Sequence, residues 1–322
     1  MNEPRYREAE QRLWESVGLT PTERQLRLDR TGVTVRVQEV GEGPAVVFVH
    51  GASNSGVSWA PLAARLDGFR CVLVDRPGCG LSEPLPYTLD DPERLGAYGD
   101  ALIVDVIDAL GLDHAHVVAT SFGGYFALRG AAAHPGRVDR VVEFGWTVGA
   151  PVGAVPLMLR IGGIPTFGRL AGMVPPTERA VRAMLRSIGL RGALASGRFS
   201  QQMVDTYLSL LRDTNTMRNE LKAGPHTFRF RGFNKSVFLP QRLLGTIHTP
   251  TYFLWGEDDP MGDAEIARQF VRNIPGAEIE MMPGAGHAVW IDDPDHAAAT
   301  TRRFLSGGRV IDEEATERLR TS

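Results

Sequence analysis

The sequence predicts an α/β fold, a mostly parallel sheet with helices on both faces, interrupted by an inserted helical cap. Three observations carry that reading. Apolar runs without polar alternation, such as Ala45–Val49 and Cys71–Val74, mark strands buried on both faces of a parallel sheet. Helical patterns separate these runs, so strand and helix alternate as a doubly wound sheet requires. The alternation stops near Trp146 and resumes only at Pro250.

Taken in order, Tyr6, Ala9, Leu13, Trp14 and Val17 recur at helical spacing. They predict a helical extension over 1–24 that packs on the outside of the main domain. Gln25–Leu28 and Val33–Val40 alternate around Arg30-Thr31-Gly32 and read as a β-hairpin with one solvated face. Gly41-Glu42-Gly43-Pro44 ends it. Strands are then expected at Ala45–Val49, Cys71–Val74, Val117–Ala119 and Val138–Phe144, with helices over 58–66, 95–110 and after Ser121. In the insertion, Thr177 and Ser200 are good N-caps and predict helices over 177–189 and 200–212. Strands return at Thr251–Trp255 and Ala277–Met282, and a helix over 295–305 closes the fold. The expected core is 25–146 plus 249–305, the cap 147–248, and 306–322 a polar tail.

Composition excludes several classes. With 43% hydrophobic and 23% charged residues, the 322-residue chain can bury a substantial core. A net charge of -3 gives no reason to expect nucleic acid. The two cysteines, Cys71 and Cys79, make no disulfide framework. The N-terminal stretch lacks the apolar centre of a signal peptide. The longest uncharged run, Phe144–Leu159, is too short and too rich in Gly and Pro to span a bilayer. A cytoplasmic enzyme acting on a small molecule, with no membrane partner, is the expectation.

The chemistry centres on His116–Gly124, HVVATSFGG, where an apolar strand turns through Ser121 into a helical pattern. Such a strand-to-helix corner is tight, so the positions two before and two after the serine must be small; here they are Ala119 and Gly123. The turn lifts the serine oxygen clear of the backbone and brings the Phe122 amide into the same space. Four further stretches fall at strand ends, where open parallel sheets bind ligands. His50-Gly51-Ala52-Ser53 follows the first buried strand and can supply a second amide for an oxyanion, Ala52 first and Ser53 second. His50 itself reads as a residue that stabilises the loop. Asp75–Ser82 reads as structural turn chemistry, Cys79 included. Gly256-Glu257-Asp258-Asp259-Pro260 offers a carboxylate from Asp258 or Asp259 to orient a histidine. Pro283-Gly284-Ala285-Gly286-His287 offers the histidine, an imidazole beyond a Gly-rich turn.

HGAS, DRPGCGLS, ATSFGG, WGEDDP and GAGH, in this order, resemble the α/β-hydrolase superfamily in its capped esterase and C–C-bond-hydrolase branch. The resemblance covers about residues 25 to 305. It implies an α/β-hydrolase fold with Ser121 as nucleophile, His287 as general base and acid, and Asp259 rather than Asp258 as orienter. It also implies an oxyanion hole from the Ala52 and Phe122 amides, and neither metal nor organic cofactor. The expected reaction is cleavage of an ester, thioester or lactone through an acyl-enzyme. The alternatives are C–C or amide cleavage by the same serine, or a ligand receptor or lyase on this fold.

The expected cap carries 14 Lys and Arg against 4 acids. Its basic surface either docks on an acidic core or meets an anionic or carrier-bound substrate. Trp146, Leu157, Ile161 and Phe167 are the expected apolar contacts to that substrate.

Overall fold

The computed structural model describes residues 1–153, 176–223, 228–229 and 232–310. Helix α1 (Glu3–Ser16) starts where the Asn2 side chain accepts the Arg5 amide and a proline fills the first turn. Next come β1 (Thr22–Leu28), β2 (Val33–Val40) and β3 (Ala45–Val49). A 3₁₀ turn, Gly56–Trp59, runs into α2 (Ala60–Ala63) and leads to β4 (Arg70–Val74). Then follow α3 (Pro92–Ala109), β5 (Ala115–Ser121), α4 (Phe122–Ala133) and β6 (Val138–Thr147).

The insertion contributes α5 (Glu178–Ser187), α6 (Arg191–Ser196), α7 (Gln201–Asp213) and α8 (Thr216–Ala223). The Thr177 and Ser200 side chains cap α5 and α7 as their sequence positions predict. A two-residue hairpin, β7 (Phe228–Arg229) and β8 (Gly232–Phe233), and the short α9 (Gln241–Leu244) complete it. The fold resumes with β9 (Thr251–Gly256), α10 (Ala264–Val271) and β10 (Glu278–Met282). It ends with α11 (Val289–Asp292) and α12 (Pro294–Leu305).

Eight strands form one sheet in the order β1-β2-β4-β3-β5-β6-β9-β10. Pairing is antiparallel for β1–β2 and β2–β4 and parallel throughout the rest. The chain leaves β3 for β4 on one side and returns to β5 on the other, so the crevice at a topological switch point opens beyond β3 and β5. Val47, Val117 and Val141 belong to the apolar core on one face, Val46, Phe48 and Val118 to that on the other.

Two sequence expectations need correction. The boundary at residue 24 cuts through β1, which begins at Thr22. The hairpin's solvated face belongs to β1 alone, because β2 is almost wholly buried. Its polar residues Arg36 and Gln38 lie under α1, where Arg36 meets Glu10 at 2.6 Å and Trp14 Nε1 donates to Gln38. Helix α10, which the sequence reading lacks, makes the crossover between the parallel strands β9 and β10. Among the described residues, no helix is long and apolar enough to cross a membrane.

Candidate active site

Ser121 ends β5 and caps α4 with φ 54°, in a region that non-glycine residues rarely enter. The surroundings hold that strain in place. The Ser121 carbonyl accepts the Val148 amide at 3.0 Å and the Thr147 hydroxyl at 3.2 Å, which ties the corner to the end of β6. A Cβ at Gly123 would lie 2.1 Å from the Val49 carbonyl oxygen, so only glycine fits where α4 starts against β3. The small-residue rule read from the sequence is thus a packing requirement.

The histidine arrives from the far end of the sheet. His287 Nδ1 lies 2.8 Å from Asp259 Oδ2. With a carboxylate there, Nδ1–H donates and Nε2 is left as the acceptor that a serine proton needs. Asp259 is 4% exposed and fully occupied: Oδ2 also accepts the Trp146 amide at 2.8 Å, and Oδ1 accepts the Met261 amide at 3.0 Å. These bonds compensate the burial of a carboxylate beside a histidine. Asp258, next door, is exposed.

The insertion reaches this loop directly. The His287 amide donates to the Ile188 carbonyl at 3.2 Å. A Cβ on Gly286 would lie 2.5 Å from the Gly189 carbonyl oxygen, so the end of α5 and the histidine loop meet backbone to backbone. Asp292 Oδ2 accepts the Gly286 amide at 2.8 Å, and burial pushes its carboxyl up to about 6. Trp290, in α11, packs 4.4 Å from Trp59 between ring centroids and steadies the same segment.

Ser121, Ala52 and His287 open into one cavity of about 280 Å³. Its walls come from α5 (Leu185), α7 (Met203, Leu210), α8 (Met217) and, unexpectedly, α1 (Leu13). Among the described lining residues, none is Lys, Arg, Asp or Glu. The basic character of the insertion is therefore spent elsewhere in the described part. Arg182 pairs with Glu178, Arg198 donates to the Asp292 carbonyl, and Arg212 donates to the Pro176 carbonyl.

Of the expected apolar contacts, Leu157, Ile161 and Phe167 lie outside the described residues. Trp146 is buried but is not part of the cavity lining. Its amide is turned onto Asp259, its indole donates to the Pro151 carbonyl, and the ring packs on Phe233, so it supports the carboxylate. Ala52 lines the cavity, whereas the Ser53 amide is already bound by Glu220 at 3.0 Å, which removes the second choice of oxyanion donor. His50 is fully buried with Nδ1 on the Gly51 carbonyl and Nε2 accepting the Arg76 amide, a loop-holding part. Burial pushes the Cys79 thiol well up, which keeps it protonated and unreactive. Leu13, Glu220 and Glu143 were missed by sequence reasoning. Glu143 is wholly buried beside Gly124, and burial pushes its carboxyl well up. Among the described residues, no cluster of His, Cys, Asp and Glu is arranged to hold a metal ion.

A serine at a strained strand-to-helix corner, opposite a histidine held by a buried aspartate at strand ends of a mixed sheet, defines the α/β-hydrolase class. The chain belongs to that family: residues 44–294 match the model of the alpha/beta hydrolase fold. It is similar to the 2-hydroxy-6-oxononadienedioate/2-hydroxy-6-oxononatrienedioate hydrolase of Burkholderia vietnamiensis, with 27% identity over 86% of this chain and 91% of that one. It is also similar to the 2-hydroxy-6-oxo-6-phenylhexa-2,4-dienoate hydrolase of Burkholderia cepacia, with 26% identity over 85% and 92%. In structure it matches carboxylesterase CesB of Bacillus subtilis with a TM-score of 0.74 at 18% identity, covering 95% of this chain and 99% of that one. That likeness speaks for the fold. The chain is a hydrolase.

Proposed function

We propose that the protein is a serine hydrolase that breaks the C–C bond beside a ketone, with Ser121, His287 and Asp259 as its triad. The observation that carries the triad is that His287, 2.8 Å from the buried Asp259, opens with Ser121 into one cavity. In the proposed first step Ser121 Oγ bonds to the carbonyl carbon while its proton passes to His287 Nε2. The negative charge moves to the carbonyl oxygen, facing the Ala52 and Phe122 amides. As the tetrahedral species collapses, His287 returns the proton to the leaving carbon, and an acyl-enzyme remains. Water, activated by the same histidine, then releases the acid.

A carbon leaving group needs an electron sink. The conjugated hydroxydienoates named for the two sequence relatives supply one, and this supports the C–C reading over ester cleavage. One observation favours the second reading, an ester of a neutral apolar acid: the described cavity walls carry no cation for the carboxylates of a dienedioate. Steady-state turnover of 2-hydroxy-6-oxo-6-phenylhexa-2,4-dienoate against p-nitrophenyl esters of matched size decides between them. The C–C reading expects the dienoate to have the higher kcat/KM. Rapid ester turnover with an inert dienoate would replace it by the ester reading.

A further inference from the structure

We propose that Glu220, carried by the inserted helix α8, is a positioning residue that fixes the loop after β3 from which the Ala52 amide is presented. The proposal rests on the serine-hydrolase reading above. Five bonds converge on this loop and its neighbour. Glu220 Oε2 accepts the Ser53 amide at 3.0 Å. Its other oxygen accepts from Arg76 Nη2 at 3.3 Å and from Cys79 Sγ at 3.4 Å. The same Arg76 Nη2 donates to the Gly51 carbonyl at 2.9 Å, and Arg76 Nε donates to the His50 carbonyl at 3.0 Å. Ala52 thus sits between two neighbours that one carboxylate and one guanidinium hold from either side.

The backbone explains why a clamp is needed. Ser53 has φ 50°, one of two non-glycine residues with positive φ in the described chain, the other being Ser121. A side chain in that region is strained, and it persists only where surrounding bonds over-determine it. Glu220 takes the amide of the strained residue itself. Arg76 is 2% exposed, its guanidinium lies 5.0 Å from the Phe122 ring centroid, and the Glu220 side chain is 16% exposed, so this charge pair is largely shielded from water.

Helix α8 has an independent seat. The Thr216 hydroxyl accepts the Gly80 amide at 2.9 Å, and Asn219 Nδ2 donates to the Gly78 carbonyl at 2.9 Å. Neither bond involves the β3 loop. Removing the Glu220 carboxylate therefore frees the Ser53 side of the loop while leaving the helix docked. Met217 of the same helix faces the cavity, so a seated substrate bears on the element that holds the oxyanion loop.

An oxyanion donor acts through its placement at the moment charge develops, and loss of one costs about 10²- to 10³-fold in kcat. Misplacing it costs less. Glu220→Ala is expected to lower kcat about 10- to 100-fold with KM within about twofold. A trifluoromethyl ketone, which takes the serine oxygen to form a tetrahedral adduct, should bind the variant more weakly by the same factor. The matching secondary alcohol, which forms no adduct, should bind unchanged. Glu220→Gln, whose amide oxygen still accepts the Ser53 amide, should recover most of the rate. A Glu220→Ala enzyme with wild-type kcat and ketone affinity overturns the proposal, and so does equal weakening of ketone and alcohol, which marks general loosening of the cavity. Ser121→Ala, run alongside, separates the two claims: if it stays active the serine reading fails, whatever Glu220 does.

Discussion

Asp259 Oδ2 accepts two hydrogen bonds of 2.8 Å, one from the His287 ring and one from the Trp146 amide. The first orients the imidazole. The second fixes the carboxylate to the end of β6, so histidine, aspartate and serine are referenced to adjacent strands of one sheet. A carboxylate so placed favours the imidazolium that forms when the serine proton is taken. Asp259→Asn is expected to lower kcat by about 10³- to 10⁴-fold, and Asp258→Asn by less than about tenfold. Steady-state kinetics of the two purified variants checks this, and the reverse order would reassign the acid.

Asp292 gives a stability prediction. Burial raises its carboxyl from 3.8 to about 6, while the Gly286 amide and Arg198 oppose the shift. Folding therefore favours the protonated form. The associated stability is complete below pH 3.8 and is lost as pH rises through about 6. Asp292→Asn stays neutral and can still accept the Gly286 amide through its oxygen. Its Tm should exceed the wild-type value at pH 8, by the equivalent of up to about 3 kcal/mol for two pKa units, and the gap should close toward pH 4. A gap independent of pH would show that Asp292 is not ionising there.

Leu13 predicts specificity. It is 2% exposed and walls the cavity from α1, an element far in sequence from Ser121. Leu13→Ala should raise kcat/KM for longer acyl or bulkier ring substrates relative to short ones by several-fold. It should also cost about 2–5 kcal/mol of stability, as large-to-small core changes do. A chain-length series measured on both proteins tests this. An unchanged preference would mean that substrate does not extend to α1.

Much of this arrangement is legible in the sequence because tight turns constrain residue type locally. Gly123 must be glycine against the Val49 carbonyl, and the run of strands is written in apolar periodicity. What escaped reading is whatever depends on a partner far along the chain. Arg36 and Gln38 look solvated until α1 is placed over them. Glu220 looks like one more helix-surface acid until α8 is docked beside Ser53. Trp146 reads as an apolar side chain for substrate, and its backbone bond to Asp259 is not legible until the two strands are side by side. Helix α10 is the exception, because its signal is local: the Asp263 side chain caps it by accepting the Ile266 amide.

The charge of the insertion yields a test of substrate class. The sequence count of 14 basic residues suggests attraction of anions, but the described cavity walls hold none of them. For a neutral ester, kcat/KM should be nearly independent of salt. For a dienoate it should fall with salt only if the basic surface steers approach, since screening acts over about 10 Å at 0.1 M. Equal salt responses of the two substrates would leave the basic surface without a role in recognition.

The proposed reaction stands on Ser121 as the nucleophile. A fluorophosphonate probe followed by intact-mass and peptide analysis tests it most directly. The wild-type protein should gain one phosphonyl group, on Ser121. Ser121→Ala should gain none, keep its wild-type Tm, and lose about 10⁴-fold or more in turnover. Modification at another residue, or a Ser121→Ala enzyme within about tenfold of wild-type activity, would rule out Ser121 as the nucleophile.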